Sequence, residues 1–147
     1  MTWEKLTLFA CLASAWYMTG LIWIVQVVQY PLFDRVGPAS FATYHAEYVR
    51  RVTWVVLAPM VVELVTSLAL VVRRPAGVGP ALAWVGLLLV GATWCSTIAW
   101  QVPLHDQLAR GFEAGLHRRL IGSNALRTVA WTAHALVLLG MVARLHD

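Results

Sequence analysis

Glu63 and His134 are the two ionisable side chains that stand deepest within apolar sequence in this 147-residue chain. A carboxylate and an imidazole brought together away from water can exchange a proton or polarise a bound molecule, and ionisable groups inside a membrane commonly mark functional sites. The competing reading is a buried pair that only fixes helix register. His105 is the third candidate for acid–base work. Gln29, Tyr30, His45, Tyr48, Gln101, Asn124, Arg127 and Trp131 supply the donors, acceptors and aromatic faces that would hold a small ligand. Among them Arg127, Asn124 and Gln101 are the types that anchor an anion or polarise a carbonyl. An arginine one turn inside a span can equally snorkel to the interface.

The elements that must position these groups are four apolar stretches, roughly Leu6–Pro31, Thr53–Val72, Pro80–Gln101 and Ala125–Val142. A hydrocarbon core of about 30 Å needs about 20 helical residues, and each stretch meets that length. With 60% hydrophobic residues, a mean hydropathy of +0.69 and only 12% charged residues, the composition excludes an ordinary soluble domain. The first stretch is too long for a signal-peptide core and lacks a small-residue cleavage site, so it is read as a mature helix. The expected fold is all-α: one four-transmembrane-helix domain over residues 1–147, built from two tandem helical hairpins at about 1–74 and 75–147. Its setting is the lipid bilayer, expected to be a bacterial cytoplasmic membrane. The net charge of +4 comes from arginines at the span ends, and nothing in it points to nucleic acid. Arginine counts favour a cytoplasmic face for the two long polar connections, Phe33–Arg51 and His105–Ser123, with both termini outside.

The hairpin repeat rests on two similar segments, Gln29-Tyr-Pro-Leu-Phe-Asp34 and Gln101-Val-Pro-Leu-His-Asp106, offset by 72. Pro31 and Pro103 are expected to end the first and third helices on one side of the membrane. The same offset maps His45 onto His117. Ser40 reads as an N-cap for the second helix near Ala39, and the fourth helix is expected to begin near Phe112, with Ser123 able to cap a restart. Helical periodicity then draws one polar row per helix: Trp16, Thr19, Trp23, Gln26 and Tyr30; His45, Tyr48, Val52, Pro59 and Glu63; Trp94, Thr97, Gln101 and His105; Asn124, Arg127, Trp131 and His134. Rows this polar belong inside the bundle, opening towards the long connections. Counted from Arg51 and Ser123, Glu63 and His134 both lie about 16–18 Å deep, which predicts their contact.

Other chemistries find less support. No His-x-x-x-His or Glu-x-x-His spacing occurs, although His45, His105 and His134 on different helices would allow a haem or a metal ion. Phosphate loops, nucleophile elbows and Cys-x-x-Cys pairs are absent. Cys11 and Cys95 differ in depth by roughly 18 Å and should not pair. Trp3, Trp23, Trp54, Trp84 and Trp100 read as an interfacial belt, while Trp16, Trp94 and Trp131 are candidates for the interior.

At Gln101-Val-Pro-Leu-His-Asp-Gln-Leu108 and Ser123-Asn-Ala-Leu-Arg-Thr128 the chain resembles the anthrone-oxygenase-like family of small four-helix membrane proteins. Its segments look similar to that family's x-V-P-L-N-x-x-L and W-N-x-x-R-T patterns, with His105 in place of the first Asn and Ser123 in place of the Trp. The resemblance implies oxygenation of a phenolic or quinone-like aromatic without a cofactor. The reading that combines residues and resemblance is a polar cavity for a small hydrophobic or aromatic molecule, with Glu63 and His134 as acid–base groups. Its alternatives are an accessory subunit of a larger membrane complex, a homo-oligomer among them, or a haem- or metal-binding protein.

Overall fold

Backbone polar groups in hydrocarbon must be satisfied within the spanning segment, which leaves helices or a closed barrel. The computed structural model of this protein describes residues 1–145, and they fold as helices with no strand among them. Four helical segments are long and apolar enough to cross a bilayer, and the chain is an integral membrane protein with an all-α four-helix architecture.

The first span comprises α1, Trp3–Ile24, capped by the Thr2 hydroxyl on Lys5 N, then a π-helical turn Val25–Gln29 and a 3-10 turn Pro31–Arg35. The second span is α2, Pro38–Val72. The third runs through α3, Pro80–Ser96, a second π turn Thr97–Gln101 and α4, Val102–Leu108. The fourth is α5, Ala114–Val142. Helices α1 and α3 each pack against both α2 and α5, so α2 and α5 face each other across the bundle axis. The second and fourth helices cover 41–48 and 114–120 as the sequence suggests.

Several boundaries differ from expectation. Gly37, not Ser40, is the N-cap of α2, because Pro38 needs no partner for a missing N–H and starts the helix with its fixed φ. Glu113 caps α5, its carboxylate accepting from Gly115 N, and the helix begins at Ala114 instead of Phe112. Ser123 caps nothing: α5 is continuous through it, and its hydroxyl donates back to Leu120 O at 3.2 Å. Pro103 does not stop its span either, whereas Pro31 opens the 3-10 turn that closes the first span at Arg35. A proline ring collides with the carbonyl four residues earlier, and here the helix widens by one residue instead of breaking. Tyr30 N accordingly bonds Val25 O at 2.9 Å, and Val102 N bonds Thr97 O. The two π turns fall at matching places, 25–29 and 97–101.

The inner face of the first helix also lies to one side of the expected row. Thr19 and Tyr30 are buried, but Trp16 and Trp23 point outward, and Cys11, Ala15, Met18, Ile22 and Val25 face the core instead. The indole of Trp23 donates sideways to Thr132 on α5 at 3.1 Å, which suits an outward ring with a polar tip. Trp131 is fully buried, whereas Trp3, Trp54, Trp84 and Trp100 are exposed on the periphery.

Two apolar clusters fill the interior. One, near the long connections, centres on Met18, Ile22, Phe33, Phe41, Leu108 and Leu120; the other, near the termini, gathers Leu8, Cys11, Ala15, Leu70, Ala135 and Leu138. Small side chains let helices approach closely in a membrane, where van der Waals contact replaces the hydrophobic effect. Gly86 shows this most directly. A Cβ placed there would lie 3.5 Å from His134 Cε1 and 3.5 Å from Met141 Cε, an ordinary contact that leaves no room beyond it. Gly86→Ala should therefore hold the wild-type Tm within a few degrees. Gly86→Leu should overpack the site and cost about 1–3 kcal/mol, read as a clear drop in Tm in detergent.

Candidate functional site

The polar residues gather at two levels, and Trp131 joins them. Tyr30, His45, His105 and His117 meet at the end of the bundle near the long connections. Counting from each of those along its own span, 17 to 19 residues lead to Cys11, Glu63, Gly86 and His134. At 1.5 Å per residue the second level lies roughly 27 Å from the first. Equal counts on four helices explain why residues so far apart in sequence share one plane.

At the deeper level Glu63 and His134 meet as expected. Nε2 of His134 lies 3.5 Å from Glu63 Oε1, with both side chains buried. At that spacing the two groups are in contact without a hydrogen bond, and Oε1 makes none. The carboxylate's firm partner is Trp131, whose indole N–H donates to Oε2 at 2.9 Å. Cys11 completes the group, its Sγ 3.4 Å from Ser67 Oγ and 3.8 Å from His134 Nε2. Both cysteines are free, Cys11 buried and Cys95 on the outer face.

At the nearer level a chain of polar contacts crosses all four spans. Nε2 of His45 lies 3.0 Å from His105 Nδ1, and His105 Nε2 lies 2.9 Å from the Tyr30 hydroxyl. The Tyr30 hydroxyl also donates to Gln101 Oε1 at 3.4 Å, and Gln101 Nε2 donates to Ser123 Oγ at 2.7 Å. His117 donates from Nε2 to Tyr30 O at 2.7 Å, tying the start of α5 to the end of the first span. Aromatic rings close this end: Phe41 stacks on His45 at 5.4 Å, and Phe33 meets His45 edge-on at 5.6 Å.

Between the levels stands Arg127. It is 6% exposed, and no carboxylate among the described residues pairs with it. Its Nη1 donates to Asn124 Oδ1 at 3.1 Å, and its guanidinium lies 4.9 Å from the centre of the Trp131 ring. Asn124 in turn donates to Gln26 Oε1 at 2.8 Å, and Gln26 donates to Ile121 O at 3.3 Å. Arg127 Nε makes no hydrogen bond.

A cavity of about 140 Å³ opens beside this arginine. Met18, Ile22, Val25, Val49, Val52 and Val56 give it apolar walls, and its polar edge includes Tyr30, Tyr48, Gln101, His105 and Arg127, with Thr53, Thr97 and the Asp106 carboxylate at its rim. Tyr48, Leu21 and Val52 also line an outer groove on the α1–α2 seam, where Gln29 and Tyr44 lie. Of the eleven residues singled out from the sequence, five therefore touch the inner cavity and Gln29 only the groove. His45, Asn124 and Trp131 support that lining from behind, and Glu63 and His134 form the separate deeper group. The three histidines considered for a haem or metal do not converge: His45 and His105 face each other, and His134 sits with Glu63.

Sequence reasoning passed over Ser123, Cys11, Ser67 and Gly86 as site residues, while Gln26 stood in the polar row of the first helix. Ser67, one helical turn beyond Glu63 and so on its face, carried a usable signal. No family model, curated protein or solved structure matches this chain. The resemblance to the anthrone-oxygenase-like proteins thus rests on the two short segments quoted above.

Glu63 offers a direct test of the deeper group. Glu63→Gln keeps an oxygen for the Trp131 N–H and should melt within a few degrees of wild type. Glu63→Leu strands that N–H in the core and should cost about 1–3 kcal/mol. Thermal melts of the two variants in one detergent measure the difference.

Proposed function

We propose that the cavity binds a small aromatic molecule carrying an oxygen, phenolic or quinone-like, and that the protein acts on it as an oxidoreductase. The observation that carries this reading is Arg127. A charged side chain inside the hydrocarbon span costs about 2.5–3.5 kcal/mol at the helix centre by insertion scales, and natural proteins commonly pair or hydrate it. Arg127 has an amide oxygen, an indole face and the Tyr30 and Tyr48 side chains near it but no paired carboxylate, and it borders a largely apolar cavity. A ligand oxygen bearing negative charge, or a carbonyl developing it, supplies the missing partner.

Volume and lining support the same class. An apolar cavity of about 150 Å³ takes one benzene ring, so the space here suits a single aromatic ring. Gln101 and the Tyr30 hydroxyl stand at the polar edge, where a second oxygen would meet them. The deeper group acts on this site indirectly: Glu63 fixes the Trp131 indole, and the indole carries Arg127. In this reading Glu63 and His134 position the cation, and any acid–base role passes through that contact. The resemblance to the oxygenase family adds support through Asn124, Arg127 and Thr128, the residues its second segment shares. Homologous chemistry would then be oxygenation of the bound ring.

Arg127→Met tests the proposal because function and stability should move in opposite directions. The variant should bind para-nitrophenol at least tenfold more weakly, as expected for a lost charge-assisted hydrogen bond of about 1.5–3 kcal/mol. Its Tm should equal or exceed the wild-type value, since a buried unpaired cation has been replaced by an apolar side chain of similar length. Weak binding together with a lowered Tm would instead mark Arg127 as a structural residue.

A further inference from the structure

The contacts among Tyr30, His105 and His45 have a direction, and it follows from counting donors. Ser123 donates its hydroxyl proton to Leu120 O, so it accepts from Gln101 Nε2. That fixes the Gln101 amide with its oxygen towards Tyr30, and the Tyr30 hydroxyl donates to it. The Tyr30 oxygen is then the acceptor for His105, which carries its proton on Nε2. His105 Nδ1 is left bare and accepts from Nε2–H of His45. Only an acceptor, His45 Nδ1, ends the chain unpaired. The opposite polarity would place a proton on that buried nitrogen, leaving an orphan N–H, and it would remove the Tyr30 proton from Gln101. Buried orphan donors are rarer than orphan acceptors, so the first arrangement prevails.

We infer that His45, His105 and Tyr30 form a directional proton relay that feeds an oxygen of the molecule held in the cavity. The inference rests on the ligand class proposed above and assigns the proton source for that same site. Tyr30 and His105 both line the cavity, and the Tyr30–Gln101 bond at 3.4 Å is long enough to be redirected readily to a bound oxygen. In the step, the Tyr30 O–H bond breaks as its proton passes to the ligand oxyanion. The Tyr30 oxygen takes the Nε2 proton of His105, and His105 Nδ1 takes the Nε2 proton of His45. A proton from water on the side of the long connections adds to His45 Nδ1, so one proton enters as one leaves and no electrons are transferred. Phe33 and Phe41 cover His45, so entry requires the Phe41 turn of α2 to open. Afterwards both imidazoles carry their proton on Nδ1, and the chain must change tautomer before it can deliver again. His45 is thus a relay residue behind the cavity wall.

Two experiments decide this. In wild-type protein with ¹⁵N-labelled histidine, NMR in detergent should show His45 and His105 both as Nε2–H tautomers; an Nδ1–H tautomer at His45 overturns the polarity. This test needs no ligand and no variant. In stopped-flow mixing with para-nitrophenolate and a soluble pH indicator, wild type should take up one proton per ligand bound. Tyr30→Phe should abolish the uptake. His45→Gln, whose amide N–H can still bond His105 Nδ1 but cannot pass a proton, should slow it at least tenfold. Cys95→Ser, on the outer face, serves as the unaffected control. Uptake at the wild-type rate in His45→Gln overturns the relay. If para-nitrophenol does not bind wild type at all, the ligand class fails, and the tautomers alone then support or overturn the chain's direction.

Discussion

The indole of Trp131 holds a buried cation and a buried carboxylate apart, and the rest of the interior is organised around that separation. Its N–H engages Glu63 at 2.9 Å while its face carries the Arg127 guanidinium at 4.9 Å. With the indole between them, Glu63 has a neutral donor and Arg127 has a polarisable surface. Neither of those neutralises the other charge. The arginine then keeps hydrogen-bonding capacity on the side where the cavity opens.

The two π turns have a related consequence. A single widened turn shifts every later residue around the helix axis, so side chains beyond it face differently from what a straight α-helix would give. In the third span the turn ends at Gln101, and His105 follows one turn later; in the first it ends just before Tyr30. On the first and third spans, the groups that meet at the nearer level are those at or beyond the turns. The turns before the prolines therefore aim the site, within a continuing span at Pro103 and just before the closing 3-10 turn at Pro31. The missing proline N–H costs a backbone bond, but the i to i−5 bonds at Tyr30 and Val102 recover part of it.

Span number, helical class and the inward rows of α2, the third span and α5 were legible because polarity in hydrocarbon has one stable direction, into the bundle. Glu63 with His134 was legible for the same reason. Counting from Arg51 and Ser123 put the two at like depth, and the counts from His45 to Glu63 and from His117 to His134 agree with their contact. The row on the first helix failed because Trp16 and Trp23 were read as polar members. A tryptophan is mostly apolar surface, so an outward ring costs little in lipid, and the small residues Cys11 and Ala15 gain more from the core. A polar cavity was legible from the inward rows, but its lining and the route from His45 to Tyr30 were not. Both depend on which nitrogen or oxygen faces which, and spacing along a helix does not specify that.

The offset of 72 that aligns the two proline segments shows how one end of the bundle can acquire chemistry. His45 and His117 correspond at that offset, and each reaches across to the other half: His45 to the His105 ring, His117 to the Tyr30 carbonyl. Phe33 and His105 also correspond, and both lie against His45. In the first half the corresponding place holds a phenyl ring that only packs. In the second it holds an imidazole that donates to Tyr30. A frame with matched helices needs only one such exchange of ring chemistry to turn an aromatic packing contact into a polar path. Because the imidazole stands at one of the two positions alone, the polar edge of the cavity forms on its side, next to Tyr30 and Gln101.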